Sequence, residues 1–325
     1  MSSFRSRCPP PPPSQLFSSS TPPNKLGPNK LQLFSPSKIN LFLRILRKRP
    51  DNYHDLSSLF QAISLGDTLT IEKVDSPSDK FTCNMPGVPV DSSNLVLKAV
   101  NLLRSHTGTN DVKFDIDLYK RCPAQAGLGG GSANAATALY ACNKLLGSPC
   151  TSEELIEMSA ELGSDITFFL SKGTAYCTGR GEIMNEVAPL KDSNDVKCTI
   201  VKINLGLSTP TVFKALDYDK LSATDPEEIL KQFSEKGTKV SPEYFVNDLQ
   251  SPAFECLPKL KELKEMCDEC DFDTVMMSGS GTSIFCLGES GNSEMWRRVN
   301  GRDDVQVFET KFMNRNSEAE WYDEP

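Results

Sequence analysis

A glycine-rich run near the middle of the chain places the strongest constraint on its fold. Four glycines occupy five positions in Gly127-Leu128-Gly129-Gly130-Gly131, and glycine permits both positive φ and close approach of the backbone to a ligand. An alternating strand pattern over residues 112–118 precedes the run, and an Ala-rich helical pattern from Ser132 to about residue 146 follows it. A glycine loop that leads into a helix N-terminus predicts an anion site, most naturally for phosphate, because unpaired N–H groups and the positive end of the helix dipole meet there.

The spacing of this loop does not fit the two commonest nucleotide-binding motifs. A Walker A loop ends in Gly-Lys-Ser/Thr, and this loop contains no lysine. A dinucleotide fingerprint needs Gly-x-Gly-x-x-Gly, and counting from Gly127 puts Ser132 at the last position. The plain alternative is a flexible linker, but a linker would not lead directly into an Ala-rich helix.

The motif as a whole resembles the phosphate loop of the GHMP kinases, which include galactokinase and the homoserine, mevalonate and phosphomevalonate kinases. The similarity lies in the order Pro-x-x-x-Gly-Leu-Gly-Gly-Gly-Ser-x-Asn over residues 123–134. Further segments fit the same family in the same order, and they are Lys38-Ile39-Asn40, Tyr53-His54, Gly163-Ser164-Asp165 and Gly279-Ser280-Gly281-Thr282. The resemblance covers about residues 31–310 and implies an ATP-dependent kinase that acts on an alcohol.

The resemblance implies a fold of the α+β class, with two domains and the active site in the cleft between them. Residues 31–192 would form the N-terminal, ATP-binding domain and residues 193–312 the C-terminal domain, with a boundary at the polar stretch 191–194. We expect residues 313–325 to form a tail whose acidic end, residues 317–325, is frayed.

Two residues are the candidates for catalysis. Asp165 follows a predicted helix in a Gly-Ser-Asp turn, where a carboxylate either accepts a proton from the substrate hydroxyl or simply caps the next segment. Lys38 lies in an apolar segment, so it is either buried with a charged partner or exposed on an edge strand. The resemblance favours catalysis by both, with Asp165 as the base and Lys38 as its partner.

The resemblance also implies residues for ATP and Mg²⁺. The ATP set comprises the glycine-rich loop with its flanking residues and one helix start, namely Pro123, Ala124, Gln125, Ala126, Gly127, Leu128, Gly129, Gly130, Gly131, Ser132, Ala133 and Asn94. Ala133 replaces a serine that is common in the family. We therefore assign the Mg²⁺ contact to the hydroxyl of Ser132.

For the acceptor, the resemblance points to a cytidine diphosphate-linked methylerythritol as the small-molecule substrate. Tyr53 and Phe213 offer rings for stacking and His54 offers a donor and an acceptor, although a single phenylalanine such as Phe60 or Phe213 is more often a core residue. The other members of the predicted acceptor set are Asn40, Phe60, Gly279 and Ser280. The alternatives are a homoserine, mevalonate or sugar kinase of the same family, or an inactive nucleotide-binding relative.

Asn52 stands where relatives usually have glycine before the Tyr-His pair. Asparagine tolerates a left-handed backbone better than other side chains, so the turn can survive.

Thr151-x-x-Glu154 predicts a capping box at a helix start.

Bulk properties narrow the partners and the compartment. A net charge of −8 argues against nucleic acid, and no apolar run is long enough for a membrane helix. Residues 1–50 contain nine basic residues and no acid, and residues 1–30 are rich in Ser and Pro. This composition predicts that residues 1–30 are a disordered transit peptide. The protein would then be located in the plastid stroma, and without a transit peptide it would be located in the cytoplasm. The eleven cysteines lack framework spacing and predict reduced thiols. We expect a monomer or a weak homodimer.

Overall fold

The computed structural model describes residues 27–317 and 320–325. Most of the predicted transit peptide, residues 1–26, therefore lies outside the described part of the chain. Disorder is wrong for residues 27–30, because Gly27 bridges to Lys30 and the carbonyl of Asn29 accepts a 2.8 Å hydrogen bond from the backbone of Lys73. Within the described ranges no helix has the length and apolar character needed to cross a bilayer.

A long antiparallel hairpin organises the fold. It joins β1 (Lys30–Lys48) to β2 (His54–Val74). The apolar patterns of the sequence predict only shorter strands here, at residues 31–35, 39–46, 57–64 and 67–74. Irregularities in the register at Pro36/Ser37 and Asn40/Phe42 let both strands bend and continue. Asn52 adopts a φ of 66° in the turn, so the expectation of a left-handed asparagine is confirmed.

The first sheet is built around this hairpin. Its strand order is β3-β4-β2-β5-β6, with β1 paired to β2 and β3 parallel to β4. Three helices cover one face, and their apolar sides share a core with the sheet that includes Leu139 and Phe114. The elements are β3 (Lys80–Cys83), β4 (Lys113–Tyr119), β5 (Thr174–Gly179), β6 (Ile183–Glu186), α1 (Leu95–Thr107), α2 (Gly130–Leu145) and α3 (Ser152–Leu162).

The second sheet is antiparallel, in the order β10-β7-β9-β8. Helices pack on it around a core that includes Leu260, Leu263 and the buried Cys267. The elements are β7 (Lys197–Ile203), β8 (Thr274–Met277), β9 (Ser283–Leu287), β10 (Val305–Lys311), α4 (Thr209–Lys214), α5 (Pro226–Lys236), α6 (Gln250–Cys256), α7 (Pro258–Asp268) and α8 (Ser293–Asn300).

A third core cluster joins the two sheets. It combines residues of the hairpin such as Ile39 and Phe42 with Ile200 and Phe285 of the second sheet. Leu128 of the glycine loop belongs to this cluster, so the loop is anchored where the two halves meet. The predicted boundary at residues 192/193 falls between β6 and β7 and stays a prediction.

The predicted strand at residues 112–118 and the predicted helix from Ser132 to about residue 146 are confirmed as β4 and α2. The capping box is also confirmed, because Thr151 and Glu154 bond each other's backbone. No pattern in the sequence predicts β3, β6 or α6. The apolar residues 166–170, for which no element was predicted, include a 3-10 turn at Thr167–Leu170.

The predicted frayed C-terminus is wrong for the part that the structure describes. Trp321 and Tyr322 are only 3% and 1% exposed. The Trp321 ring lies 4.4 Å from Tyr140, and its Nε1 donates to the carbonyl of Phe34 at 2.7 Å. Two aromatic side chains outweigh the acidic character of the end because burying each removes a large apolar area from water.

Candidate active site

A cavity of about 1200 Å³ lies against the glycine loop and the hairpin. Every residue in the three predicted site sets lines it except Ala133. Ala133 is fully buried in the core beneath α2, since its position in the first turn directs it toward the sheet. The prediction that Ala133 contacts the nucleotide is therefore wrong for its side chain.

The glycine loop is held in a conformation that needs glycine. Gly127 and Gly129 have φ values of 72° and 69°, which L side chains rarely adopt. A Cβ on Gly129 would come within 2.8 Å of the Phe169 ring and 3.2 Å of Cε of Lys38. Gly129 is also the N-cap of α2 and offers no side-chain cap, so the first N–H groups of the helix are available to an anion.

The segment from Ser278 to Ser283, which contains the motif Gly279-Ser280-Gly281-Thr282, braces this loop. The hydroxyl of Ser278 donates to the carbonyl of Gly127 at 3.0 Å, and the backbone of Ser283 donates to Ala126 at 3.2 Å. Ser280 shares a 2.8 Å hydrogen bond with Thr209 at the start of α4. A Cβ on Gly279 would lie 3.2 Å from Nζ of Lys38, so this motif closes directly over the lysine.

Lys38 and Asp165 face each other across the cavity. Nζ of Lys38 lies 3.8 Å from Oδ2 of Asp165, with the lysine side chain 4% exposed and the carboxylate 37% exposed. Nζ also donates to Oδ1 of Asn40 at 2.7 Å and to the carbonyl of Gly127 at 3.0 Å. Burial lowers the pKa of Lys38, and the charge of Asp165 opposes that shift. The sequence prediction of a buried lysine with a carboxylate partner is confirmed.

An aromatic cluster forms the other end of the cavity. The His54 ring lies 4.8 Å from Phe213, and its Nε2 shares a 2.6 Å hydrogen bond with the hydroxyl of Tyr218. Burial, followed by the charge of Lys48, lowers the pKa of His54. Tyr53 is 55% exposed, so much of its side chain is accessible to a ligand. The structure thus brings Phe213 to the adjacent pair Tyr53 and His54, from which it is separated by 159 positions or more in the chain.

Three residues that were predicted to contact ligands have side chains that hydrogen-bond or pack within the protein itself. Asn94 caps α1, accepting from Val96 at 2.9 Å and donating to the carbonyl of Pro89 at 2.6 Å. Asn40 accepts from Lys38 and donates to Ser58. Phe60 is 2% exposed and lies 5.1 Å beneath Nζ of Lys38. Their side chains position the site, and their roles toward ligands stay predictions.

Charge is unevenly distributed in the cavity of this acidic chain. In the part of the chain that the structure describes, Asp165 is the one carboxylate that lines it. Five cationic side chains line it as well, namely Lys38, Lys48, Lys120, Arg180 and Lys214. A cavity of this kind favours ligands with several negative charges.

Sequence reasoning missed the buried network below the glycine loop. Lys120 donates to Asp67 and, at 3.0 Å, to Oδ1 of Asn134 in α2. Oδ1 of Asp67 accepts 2.8 Å hydrogen bonds from the backbone of Arg121 and Cys122. This network fixes both the strand that enters the loop and the helix that leaves it. Tyr218 and Arg180 were also missed, because only folding brings them to the cavity.

The cavity offers two side-chain oxygen donors for Mg²⁺, the hydroxyl of Ser132 and the carboxylate of Asp165. Ser132 is half-buried in the first turn of α2 and lines the cavity with Asp165. Across residues 27–317 and 320–325, no group of three or more His, Cys, Asp or Glu side chains is suited to a metal ion. Such a donor set suits an ion that takes most of its ligands from nucleotide phosphates and water.

Two family models match the chain. The model for the N-terminal domain of the GHMP kinases matches residues 94–173, and the model for their C-terminal domain matches residues 222–302. The first match contains the glycine loop and Asp165, and the second contains the bracing motif around Gly279. The fold and the site therefore define a small-molecule kinase of the GHMP class.

Individual relatives narrow this class. A rice protein (Oryza sativa subsp. japonica) named 4-diphosphocytidyl-2-C-methyl-D-erythritol kinase, chloroplastic, is 48% identical over 92% of this chain and 74% of its own length. A kinase of the same name from Protochlamydia amoebophila is 48% identical over 90% of this chain and 93% of its own. A crystal structure of 4-(cytidine 5'-diphospho)-2C-methyl-D-erythritol kinase matches with a TM-score of 0.71 at 29% identity, covering 88% of this chain and all of that one. The chain belongs to the GHMP kinases, and within them to the 4-diphosphocytidyl-2-C-methyl-D-erythritol kinase family.

Proposed function

We propose that the protein transfers the γ-phosphoryl group of ATP to the 2-hydroxyl of 4-diphosphocytidyl-2-C-methyl-D-erythritol. The products are the 2-phosphate and ADP, and the reaction belongs to isoprenoid precursor synthesis by the non-mevalonate route. The names of the relatives at 48% identity support this substrate.

The observation that carries the proposal is the order of groups along one cavity. Nζ of Lys38 donates to the carbonyl of Gly127 in the glycine loop and lies 3.8 Å from Asp165. The turn beside Asp165 carries Arg180, whose guanidinium carbon lies 5.1 Å from the centre of the Tyr53 ring. A phosphate donor at the loop and a stacked pyrimidine at the cluster would place the acceptor alcohol at Asp165. Homoserine and mevalonate have no base to stack and carry fewer negative charges, so the five lining cations and the exposed Tyr53 ring favour the cytidine diphosphate-linked acceptor.

In the proposed reaction Asp165 accepts the proton of the acceptor hydroxyl as that oxygen bonds to the γ-phosphorus and the bond from phosphorus to ADP breaks. Lys38 orients the carboxylate and the hydroxyl, because Asn40 and Gly127 hold its Nζ in place. The glycine loop presents backbone N–H groups to the phosphates. Ser132 would hold Mg²⁺ beside the nucleotide, where the bound ion neutralises phosphate charge.

A substrate panel tests the proposal. Purified protein with ATP and Mg²⁺ is offered the cytidine diphosphate-linked methylerythritol, mevalonate, homoserine and galactose, and ADP release is measured together with the position of the new phosphate by ³¹P NMR. We expect turnover with the first alcohol alone. Preference for another alcohol would make the protein a different GHMP kinase, and no ADP release with any of them would indicate an inactive relative.

We also propose a plastid location for the protein. The acid-free, Ser- and Pro-rich residues 1–30 support it, as does the chloroplastic name of the rice relative. A fusion of residues 1–40 to a fluorescent reporter should enter plastids, and diffuse cytosolic fluorescence would contradict the proposal.

A further inference from the structure

Arg180 occupies a turn that joins the two ends of the proposed acceptor site. The turn Gly179-Arg180-Gly181-Glu182 connects β5 to β6. The guanidinium carbon of Arg180 lies 5.1 Å from the centre of the Tyr53 ring. A Cβ built on Gly181 would lie 3.5 Å from Oδ1 of Asp165. One short turn therefore spans the distance from the stacking ring to the carboxylate.

The guanidinium is held at its base and has donors to spare. Its Nε donates to Oε1 of Glu182 at 3.4 Å, and the backbone N–H of Arg180 donates to Oε2 of the same carboxylate at 2.6 Å. Over residues 27–317 and 320–325, neither Nη1 nor Nη2 makes a hydrogen bond to the protein, and the side chain is 32% exposed. A fixed stem with two free donors is suited to a phosphate ligand, because the planar fork can bond two oxygens at once.

The other cations of the cavity are less suited to this position. Lys38 and Lys120 already donate to protein groups. Lys48 and Lys214 are exposed, and a lysine offers a single mobile charge in place of a preorganised fork. Arg180 thus combines an open fork, a fixed position and contact with the aromatic end of the cavity.

We infer that Arg180 is a specificity-determining residue that binds the diphosphate of the acceptor while its guanidinium covers the Tyr53 ring. The inference rests on the proposed function, since it needs an acceptor in which a diphosphate joins the base to the alcohol. It assigns to Arg180 the discrimination between a nucleoside and its diphosphate.

Binding of CDP and of cytidine, each measured by titration calorimetry, tests the inference. We expect the wild-type protein to bind CDP more tightly than cytidine by about 10- to 100-fold, the usual value of hydrogen bonds to a charged group. Arg180→Met should remove most of this preference while cytidine binding persists, and Arg180→Lys should keep part of it. Acceptor KM should rise in Arg180→Met, with KM for ATP and kcat unchanged.

Arg47→Met is the matched control, because Arg47 is 77% exposed in its side chain and does not line the cavity. It removes the same charge and should keep the preference for CDP. Equal losses of CDP and cytidine binding in Arg180→Met would overturn the inference, since Arg180 would then only support the Tyr53 ring. A wild-type protein that binds neither ligand and phosphorylates another alcohol would instead refute the proposed function, and the inference with it.

Discussion

Replacing Gly129 with alanine tests whether the glycine loop and the catalytic lysine form one packed unit. Alanine at a φ of 69° costs about 1–2 kcal/mol of folding free energy. The new methyl group would lie 2.8 Å from Cζ of Phe169 and 3.2 Å from Cε of Lys38. Both side chains are buried, so relieving the overlap costs about 1–3 kcal/mol more. We expect a loss of about 2–5 kcal/mol in the free energy of unfolding.

The same substitution should also affect catalysis. A shift of Lys38 changes its 3.8 Å separation from Asp165, and a misplacement of about 1 Å can lower kcat by about 10²-fold. Chemical denaturation and steady-state kinetics on one preparation measure both effects.

Gly131→Ala is the matched control. Its φ is not in the left-handed region, and a Cβ there would meet only Leu95, at 4.0 Å. Alanine is also the better helix former in the first turn of α2, so stability should be unchanged or higher. Equal stability of the two variants would refute the steric reasoning. A destabilised Gly129→Ala enzyme with normal kcat would refute the link to Lys38.

Three further predictions concern the reacting pair and the C-terminus. Asp165→Asn should lower kcat by about 10²–10⁴-fold with KM for ATP unchanged. Adding Lys38→Met to that variant should lower kcat by a far smaller factor than the same substitution does in the wild-type protein. Fully additive losses in the free energy of activation would show that the two residues are not coupled. Burial lowers the pKa of Lys38 from the ordinary value of 10.5, so the lysine loses its charge at a pH lower than 10.5 as the pH is raised. We therefore expect kcat/KM to fall with rising pH before pH 10.5 is reached, and a profile that stays level up to that pH would contradict the assignment. Trp321→Ala should lower the free energy of unfolding by about 3–5 kcal/mol, measured by denaturation, and an unchanged value would mean that the C-terminus does not pack as described.

Local sequence signals predicted the parts of the fold that depend on neighbouring residues. The capping box at Thr151 and the left-handed Asn52 are of this kind, since a side chain bonds or tolerates its own backbone. The strand segments between residues 31 and 74 were found, but not their union into two strands of 19 and 21 residues. The shorter segments join into continuous strands because β-bulges absorb the irregular positions, and these bulges are defined only by the pairing of β1 with β2.

For the site, the sequence by itself determined the glycine loop, the lysine and the carboxylate, because each belongs to a short motif with a chemical meaning. Only the tertiary structure decided that Ala133 faces the core, that Trp321 is buried and that Arg180 and Tyr218 line the cavity. Arg180 lies 127 positions after Tyr53 in the chain, and His54 and Tyr218 are separated by 164. Contacts at such separations leave no periodic trace in a single sequence. The first depends on the pairing of β2 with β5, which sets Leu56 opposite Gly179, and the second depends on the packing of the two sheets around a shared core.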